Sequence, residues 1–473
     1  MEWDSSGMSF FADCDTVSFA GERKMEGSLH MNWLFCAIVP LFLYTQFALA
    51  ETDRPMSQDD LPWKQLRMDP LNLSIGGAFR LRGELDDEYN IKEYGTGKTE
   101  DFLLSRFRLN FDLEVFQKLR SFVQFQDARI FGSSFDDSDF KPSNPYHDDM
   151  DIRQAYIDYD AWERLEIKLG RQEIAFADRR IFGPGDWGNT GRYVWDAARV
   201  TYHDSLIDSH CLVGRYIIPD PDRWPNKHAD GPTAYANYTT IKNLPLDLDV
   251  FYVLKEDDHG DTQGESGEGS LTSHSIGFRI DGTSGPWDYG ATFVEQFGRW
   301  GQDKISAYGL ATRLGFTFDR PWRPHLMAQF INGSGDNDPK DGIKGTFDGV
   351  FGGADTVLYG WMNLFFWSNL REYRLDLDLS PADKLSFRGE YHYFTLDEKS
   401  DAWYYPGKPQ RRDVSGDSGR ELGHEVDLTF HFTPVKWLDI LGGYCFFVPG
   451  EFIEKTGPHP ITQWVFLQTE IFF

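Results

Sequence analysis

Alternation constrains this chain more than any other feature. From about residue 71 to Phe473, apolar and polar residues exchange at every second position in short stretches, joined by connections that are short and long by turns. Successive side chains of a strand point to opposite faces, so a period of two marks a strand with two different surroundings. Sustained over roughly 400 residues, the pattern predicts a transmembrane barrel with turns at one rim and loops at the other. Candidate strands fall at 71–84, 102–116, 119–131, 150–160, 164–175, 194–203, 209–218, 234–241 and 245–255. They continue at 272–282, 286–298, 304–318, 322–332, 370–380, 384–396, 420–433, 436–448 and 461–473, eighteen in all. An even count brings both ends of the wall to one rim. The expected fold is therefore all-β: a single antiparallel barrel of about 18 strands, with short periplasmic turns and long extracellular loops.

Composition agrees. No stretch of 51–473 holds the roughly 18–20 consecutive apolar residues of a spanning helix, and the mean hydropathy is -0.49. A barrel tolerates that value, because only every second residue faces lipid. Residues 31–50 carry an apolar run ending in Ala48-Leu49-Ala50, the pattern of a signal peptide cleaved before Glu51. The expected organisation is 1–50 extension and signal peptide, 51–70 short periplasmic segment and 71–473 barrel. The acidic first thirty residues fit no export signal, so translation is expected to start at Met31; that start leaves almost no positive n-region, which Arg23 and Lys24 would supply in the longer form. Cys36 follows no small residues and reads as no lipid anchor. Cys211 and Cys445 are read as two isolated thiols rather than a disulfide framework. The net charge of -28 disfavours nucleic acid as a partner.

Short connections near 160–164, 243–246, 281–287, 318–322, 380–384 and 433–437 carry or abut Trp162, Trp287, Trp322 and Trp437. An apolar ring with a polar N–H suits a membrane boundary, so these are expected to form the periplasmic girdle. Long connections are expected at 132–149, 176–193, 219–233, 256–271, 333–369 and 397–419. The acid in them, such as Asp136, Asp137 and Asp139, reads as solvated loop surface. Within 333–369 the run VLYGWMNLFFW is too apolar for a loop in water and is either a further strand or a segment folded into the barrel. The last strand places Val465, Leu467, Ile471 and Phe473 on one face.

If the apolar parity faces lipid, the other faces the lumen. Phe79 and Leu81 then point out and Arg80 and Arg82 in; Phe107, Leu109 and Phe111 point out and Arg106, Arg108, Asn110 and Asp112 in. Gln124 and Gln126 follow on the third strand. Later strands put Arg199, His203, Asp249, Arg279, Arg313, Arg374, Asp376, Asp378, Arg388, Glu390, Glu425 and Asp427 on the polar parity. Guanidinium forks hold carboxylates bidentately and keep their charge when partly buried. They also pair across strands, so each arginine has a wall-stiffening reading beside the solute-binding one.

The segment LGRQEI at 169–174, followed by Asp186-Trp187 and Asn189-Thr190, resembles the bacterial alginate export family. IRQAYIDY at 152–159 agrees, as does the closing region from Gly419-Arg420-Glu421-Leu422 through Glu425-Val426-Asp427-Leu428 and Gly442-Gly443 to Phe473. The resemblance implies an eighteen-strand barrel that passes a uronate polyanion through an arginine-rich constriction. By motif position it implies pore roles for Arg153, Arg171 and Asn189. Gln154 stands where the family has an acid; Gln172 lies beside Arg171, Arg108 is matched from the second strand, and Arg192 is added because it lies beside Asn189. One departure is charge. Without the first 50 residues, the chain keeps 45 basic and 69 acidic residues, no overall field to draw in a polyanion.

The expected function is a passive channel of the Gram-negative outer membrane for a saccharide, with alginate as the anionic case. A porin for other small solutes is the alternative, and a structural or adhesive barrel is a weaker one. An enzyme lacks its motifs: there is no GxSxG, and His424-Glu425 has no second histidine to complete HExxH. Nothing calls for a cofactor or metal. DNDPKDG at 336–342 has Lys340 where a calcium loop needs an oxygen. Expected partners are the solute, outer-membrane lipid and a periplasmic secretion protein, around a monomeric barrel. N-terminal sequencing of the exported protein should begin at Glu51, and a start upstream of it would overturn the signal-peptide reading.

Overall fold

The computed structural model describes residues 64–88, 99–140, 143–183, 185, 187–191, 193–352, 358–405 and 407–473. The expected signal peptide with its cleavage point before Glu51, and Asp186 and Arg192, lie outside the described residues. In chain order the strands are β1 (Lys64–Met68), β2 (Leu71–Asp87), β3 (Glu100–Val115), β4 (Leu119–Phe131), β5 (Asp148–Trp162), β6 (Leu165–Glu173), β7 (Val194–His203) and β8 (Ile207–Tyr216). Then come β9 (Thr233–Ile241), β10 (Asp247–Gln263), β11 (Glu268–Ser284), β12 (Trp287–Trp300), β13 (Asp303–Thr317), β14 (His325–Gly333) and β15 (Ile343–Lys344). The remainder are β16 (Leu370–Ala382), β17 (Leu385–Leu396), β18 (Ala402–Tyr404), β19 (Pro409–Arg412), β20 (Glu421–Val435), β21 (Leu438–Pro449) and β22 (Thr462–Phe472), with a short helix, α1 (Glu451–Thr456), before the last.

All except β1, β15, β18 and β19 form the wall, an eighteen-strand antiparallel barrel. Each wall strand pairs with the next, and β22 returns to β2 with Ala78 opposite Phe472 and Asp87 opposite Gln463. The seam is completed beyond the last strand: Gly77 N–H donates to Phe473 O at 2.7 Å, and Phe473 N–H to Gly77 O at 3.0 Å. A side chain at position 77 would lie 2.2 Å from Arg108 O and 2.7 Å from the Phe473 ring, so only glycine lets the two ends meet. Below this point β22 has ended, and β1 takes its place against β2.

Alternation sorts the residues as expected. Leu81, Leu103, Val213, Val250, Phe278, Leu314, Leu375 and Leu428 are exposed on the outer face, while Arg80, Arg82, Arg106, Gln124 and Gln126 are buried on the inner one. Trp162, Trp287, Trp322 and Trp437 are exposed at the turn end. In one of the turns, between β7 and β8, Asp204 accepts the N–H groups of Ile207 and Leu206, which hold its carboxyl below the usual carboxylate range.

Two expectations change. The stretch 256–271, read as a loop, instead continues β10 and opens β11, with Glu256 opposite Thr272 and Gln263 opposite Glu268. These residues are polar on both parities because the hairpin stands above the membrane; without a lipid side the alternation that marks a strand is lost. The segment 333–369 resolves the other way. Among its described residues after Gly333, only Ile343–Lys344 form a strand, and the segment folds into the barrel, where Leu358, Tyr359, Trp361, Met362, Leu364, Phe365 and Trp367 join the buried core. The upper inner wall is apolar to receive them, through Trp195, Phe251, Val253, Val294, Ile331, Phe394, Phe447, Trp464 and Phe466.

Leu375 is half exposed near mid-wall on the outer face. Leu375→Arg should cost about 2–4 kcal/mol in reversible unfolding from bilayers, the penalty for a cation at the midplane of a barrel's lipid face.

Candidate functional site in the lumen

The basic part of the lumen is set by register. In the β2–β3–β22 ladders Arg80 lies opposite both Arg106 and Glu470, Arg82 opposite Gln468, and Ala78 opposite Arg108. Arg80 facing Arg106 puts like charges side by side, which is unfavourable by itself. Glu470 offsets it, bound by Arg106 at 3.0 Å. Arg82 is held by Glu84 at 2.6 Å. Onward across β3 to β5, Arg108 Nε donates to Gln126 Oε1 at 2.8 Å, Gln124 to Asn110 at 2.8 Å, and Gln154 to Gln124 at 3.3 Å. The result is a continuous polar ladder at mid-wall.

The loop between β6 and β7 folds in against this ladder, and the ladder's cations take its carbonyl oxygens. Arg82 Nη1 donates to Trp187 O at 2.7 Å, Arg80 Nη2 to Gly188 O at 3.3 Å, and Arg153 Nη1 to Thr190 O at 2.9 Å; Gln126 Nε2 joins at the same Thr190 oxygen at 2.7 Å. The Arg82 guanidinium also lies 4.0 Å from the centre of the Trp187 ring. Asn189 is fully buried, its Oδ1 accepting from Arg80 and its Nδ2 donating to the carbonyls of Ser105, Arg129 and Tyr146. At Gly191, φ is +72° and a Cβ would lie 2.5 Å from the Arg153 guanidinium; both facts require glycine.

Arg153 and Arg171 occupy different faces. Gln124 pairs with Gln154 and Phe125 with Ile152, which leaves Arg153 as the extra residue of a β-bulge, and the bulge turns its side chain toward the inward loop. Arg171 shares the parity of exposed Leu169. It is held by Asp196 at 3.0 Å, Ile152 O at 3.0 Å and Asn226 O at 2.6 Å, under the loop between β8 and β9. The expectation of a luminal Arg171 is therefore corrected: motif position carries no information about which face a residue takes. Its neighbour Gln172 has the luminal parity of Lys168 and is buried, donating to Gly170 O and Ala197 O.

A second, acidic stretch lies on β16, β17 and β20. Glu372, Asp376, Glu390, Glu425 and Asp427 are buried with Arg374 and His392. Arg374 binds Asp376 at 2.6 Å and also Glu390, and His392 binds Glu372 at 2.6 Å. These acids receive the donors of the other inward segment: Trp361 N–H goes to Asp427 at 3.1 Å, Met362 N–H to Glu425 at 2.9 Å, and the Trp361 indole N–H to Glu390. Between the two stretches run the inner faces of β21 and β22, where Trp187 meets Trp361, Trp464 and Phe466 with ring centres 5.3, 5.5 and 4.9 Å apart. Glu372, His392, Glu84, Glu470 and the tryptophan contact were not singled out from sequence. Parity marks the first four, but nothing local marks the contact.

The two inward segments are held by forces of different kind. The apolar side chains of 358–367 gain roughly 1.5–3 kcal/mol each on burial, and each guanidinium hydrogen bond at 187–190 is worth a net of about 1.5–3 kcal/mol. The first segment is held by exclusion of water, and the second by polar bonds that the polar groups of a solute can take over.

Toward the turn end the lumen is wetter and ringed by alternating charges. Arg279 bridges Asp249 and Asp281, Arg313 bridges Asp281 and Asp288, and His325 bridges Asp288 and Asp378, at 2.6–3.2 Å. Arg388 pairs with Asp378 to end the series.

A closed barrel with an apolar outer face, a charged lumen and loops folded into it is an outer-membrane channel. The chain belongs to the alginate export family, whose sequence pattern matches residues 71–465. It is a transport protein of the bacterial outer membrane. Among solved structures, Pseudomonas aeruginosa OccK8 (OprE) is similar at 12% identity and TM-score 0.56, covering 84% of this chain and 98% of that one. Acinetobacter baumannii OccAB2 matches at 11% and 0.56 with the same coverages, and Pseudomonas aeruginosa OccK2 (OpdF) at 10% and 0.55, covering 87% and 99%. At such identities the likeness is one of fold. No curated protein sequence matches the chain.

Asn189→Ala removes the amide that satisfies three buried carbonyls. It should destabilise the loop by about 1–3 kcal/mol, read as faster hydrogen exchange at residues 187–191 with the wall strands unchanged.

Proposed function

We propose that this channel passes a saccharide across the outer membrane by passive diffusion, and that an anionic, uronate-type chain is the solute that best fits its chemistry. The observation that carries this reading is the grouping of Arg80, Arg82, Arg106 and Arg108 on the inner parity of β2 and β3, with Glu84 and Glu470 as the acids bound to them. Guanidinium forks match carboxylate geometry, and several weak contacts in series favour passage over retention. Membership of the alginate export family supports the same solute class. Gln124, Gln126 and Gln154 extend the arginine group as neutral donors suited to hydroxyls. Outer-membrane lipid surrounds the barrel in this reading, a single chain suffices to close it, and a periplasmic partner delivers the solute.

A porin for other small solutes is the second reading. It is favoured by the evenly alternating charges near the turn end, which give a solute no preferred sign.

Bilayer recordings of the refolded protein decide between them. Arg106→Ala with Arg108→Ala should lower the anion-to-cation permeability ratio severalfold and weaken block by uronate oligomers. An unchanged reversal potential, with indifference to uronates in the unsubstituted protein, would favour the second reading.

A further inference from the structure

Arg80 and Arg82, assigned above to the solute, and the neighbouring Arg153 are, in this structure, already engaged by the protein itself. Arg82, Arg80 and Arg153 hold the backbone oxygens of Trp187, Gly188 and Thr190. Those oxygens belong to neutral carbonyls, each taking a single N–H, whereas a uronate offers ionised carboxylates that add opposite charge and can accept two parallel bonds from one guanidinium fork. We propose that the Trp187–Thr190 tip is a tethered occupant of the arginine site, and that an anionic saccharide opens its own path by displacing it. The inference rests on the anionic-solute reading and adds a gating step to it.

The exchange balances bond for bond. A guanidinium gives up a carbonyl oxygen and takes a carboxylate oxygen, and the released carbonyl goes to water. Arg82 leaves the Trp187 ring, which it now covers at 4.0 Å. The tip has a glycine on either side of its buried pair: Gly191 at φ +72° behind Thr190, and Gly188 before Asn189 with no atom within 3.6 Å of a built Cβ. The segment 358–367 keeps its place, because its apolar side chains are buried in the core while Glu425 and Asp427 hold its backbone N–H groups. Trp187 is a partly buried ring packed on Trp361, Trp464 and Phe466 at the edge of the core, so displacement of the tip gives up those ring contacts and uncovers the buried Asn189 and Thr190.

The test uses the full chain refolded in vesicles, with a uronate hexamer as probe and a neutral hexasaccharide as control. Binding is measured by calorimetry on the same samples. Hydrogen exchange at residues 187–191 should accelerate by about tenfold with the uronate and stay constant with the control, the size expected when a local opening is favoured by some 1.4 kcal/mol. A second readout is Thr190→Cys in a background with Cys14, Cys36 and Cys211 replaced by serine, where Cys445 is buried and contributes little. Its modification by a charged thiol reagent should rise by a similar factor. Uronate binding without any change in exchange or labelling would overturn the gating step and leave the solute reading intact. Absence of uronate binding would overturn both.

Discussion

Closure of the wall is the constraint on which everything else depends. A strand in lipid has no water to satisfy its N–H and C=O groups, so every wall strand needs a neighbour on both sides. The last strand must therefore find the first. It does so through ten paired positions between β2 and β22, and then through Gly77 and Phe473, where a side chain on the glycine would block the approach. Once the ring is closed, alternation assigns the faces. Leucines and aromatics meet lipid, and the other parity is forced inward whatever its chemistry.

The lumen so formed is unevenly charged, and its two charged stretches grip the two kinds of backbone group. Arginines of β2 and β5 take carbonyl oxygens at 187–190, while carboxylates of β20 take the N–H groups of 361 and 362. Polar satisfaction thus fixes where each inward segment can lie. Apolar burial decides how firmly: the Leu358–Trp367 segment is anchored by a core, and the Trp187–Thr190 tip by hydrogen bonds. The arginines serve structure and solute through the same atoms, so the two roles compete.

Much of this was legible beforehand, and the exceptions share a cause. Strands bounded by lipid on one face announce themselves by period, and Arg80, Arg82, Arg106, Gln124 and Gln126 were placed inward on that basis alone. Residues 256–271 did not, since both faces of that hairpin meet water. Arg153 and Arg171 were equivalent by motif. A bulge in β5 turns the first toward the loop, and strict alternation in β6 leaves the second on the outer side, under Asn226.

The amino-acid sequence by itself determined the architecture, the number of wall strands and the face of most side chains, because lipid and water impose a strict period on any segment that separates them. Only the tertiary structure decided that the run around Trp361 fills the lumen, that Trp187 packs on it, and that the arginines grip the Asn189 loop. These contacts join residues from 37 to more than a hundred positions apart, and they exist only once closure has brought β2, β5, β20 and β22 around one space.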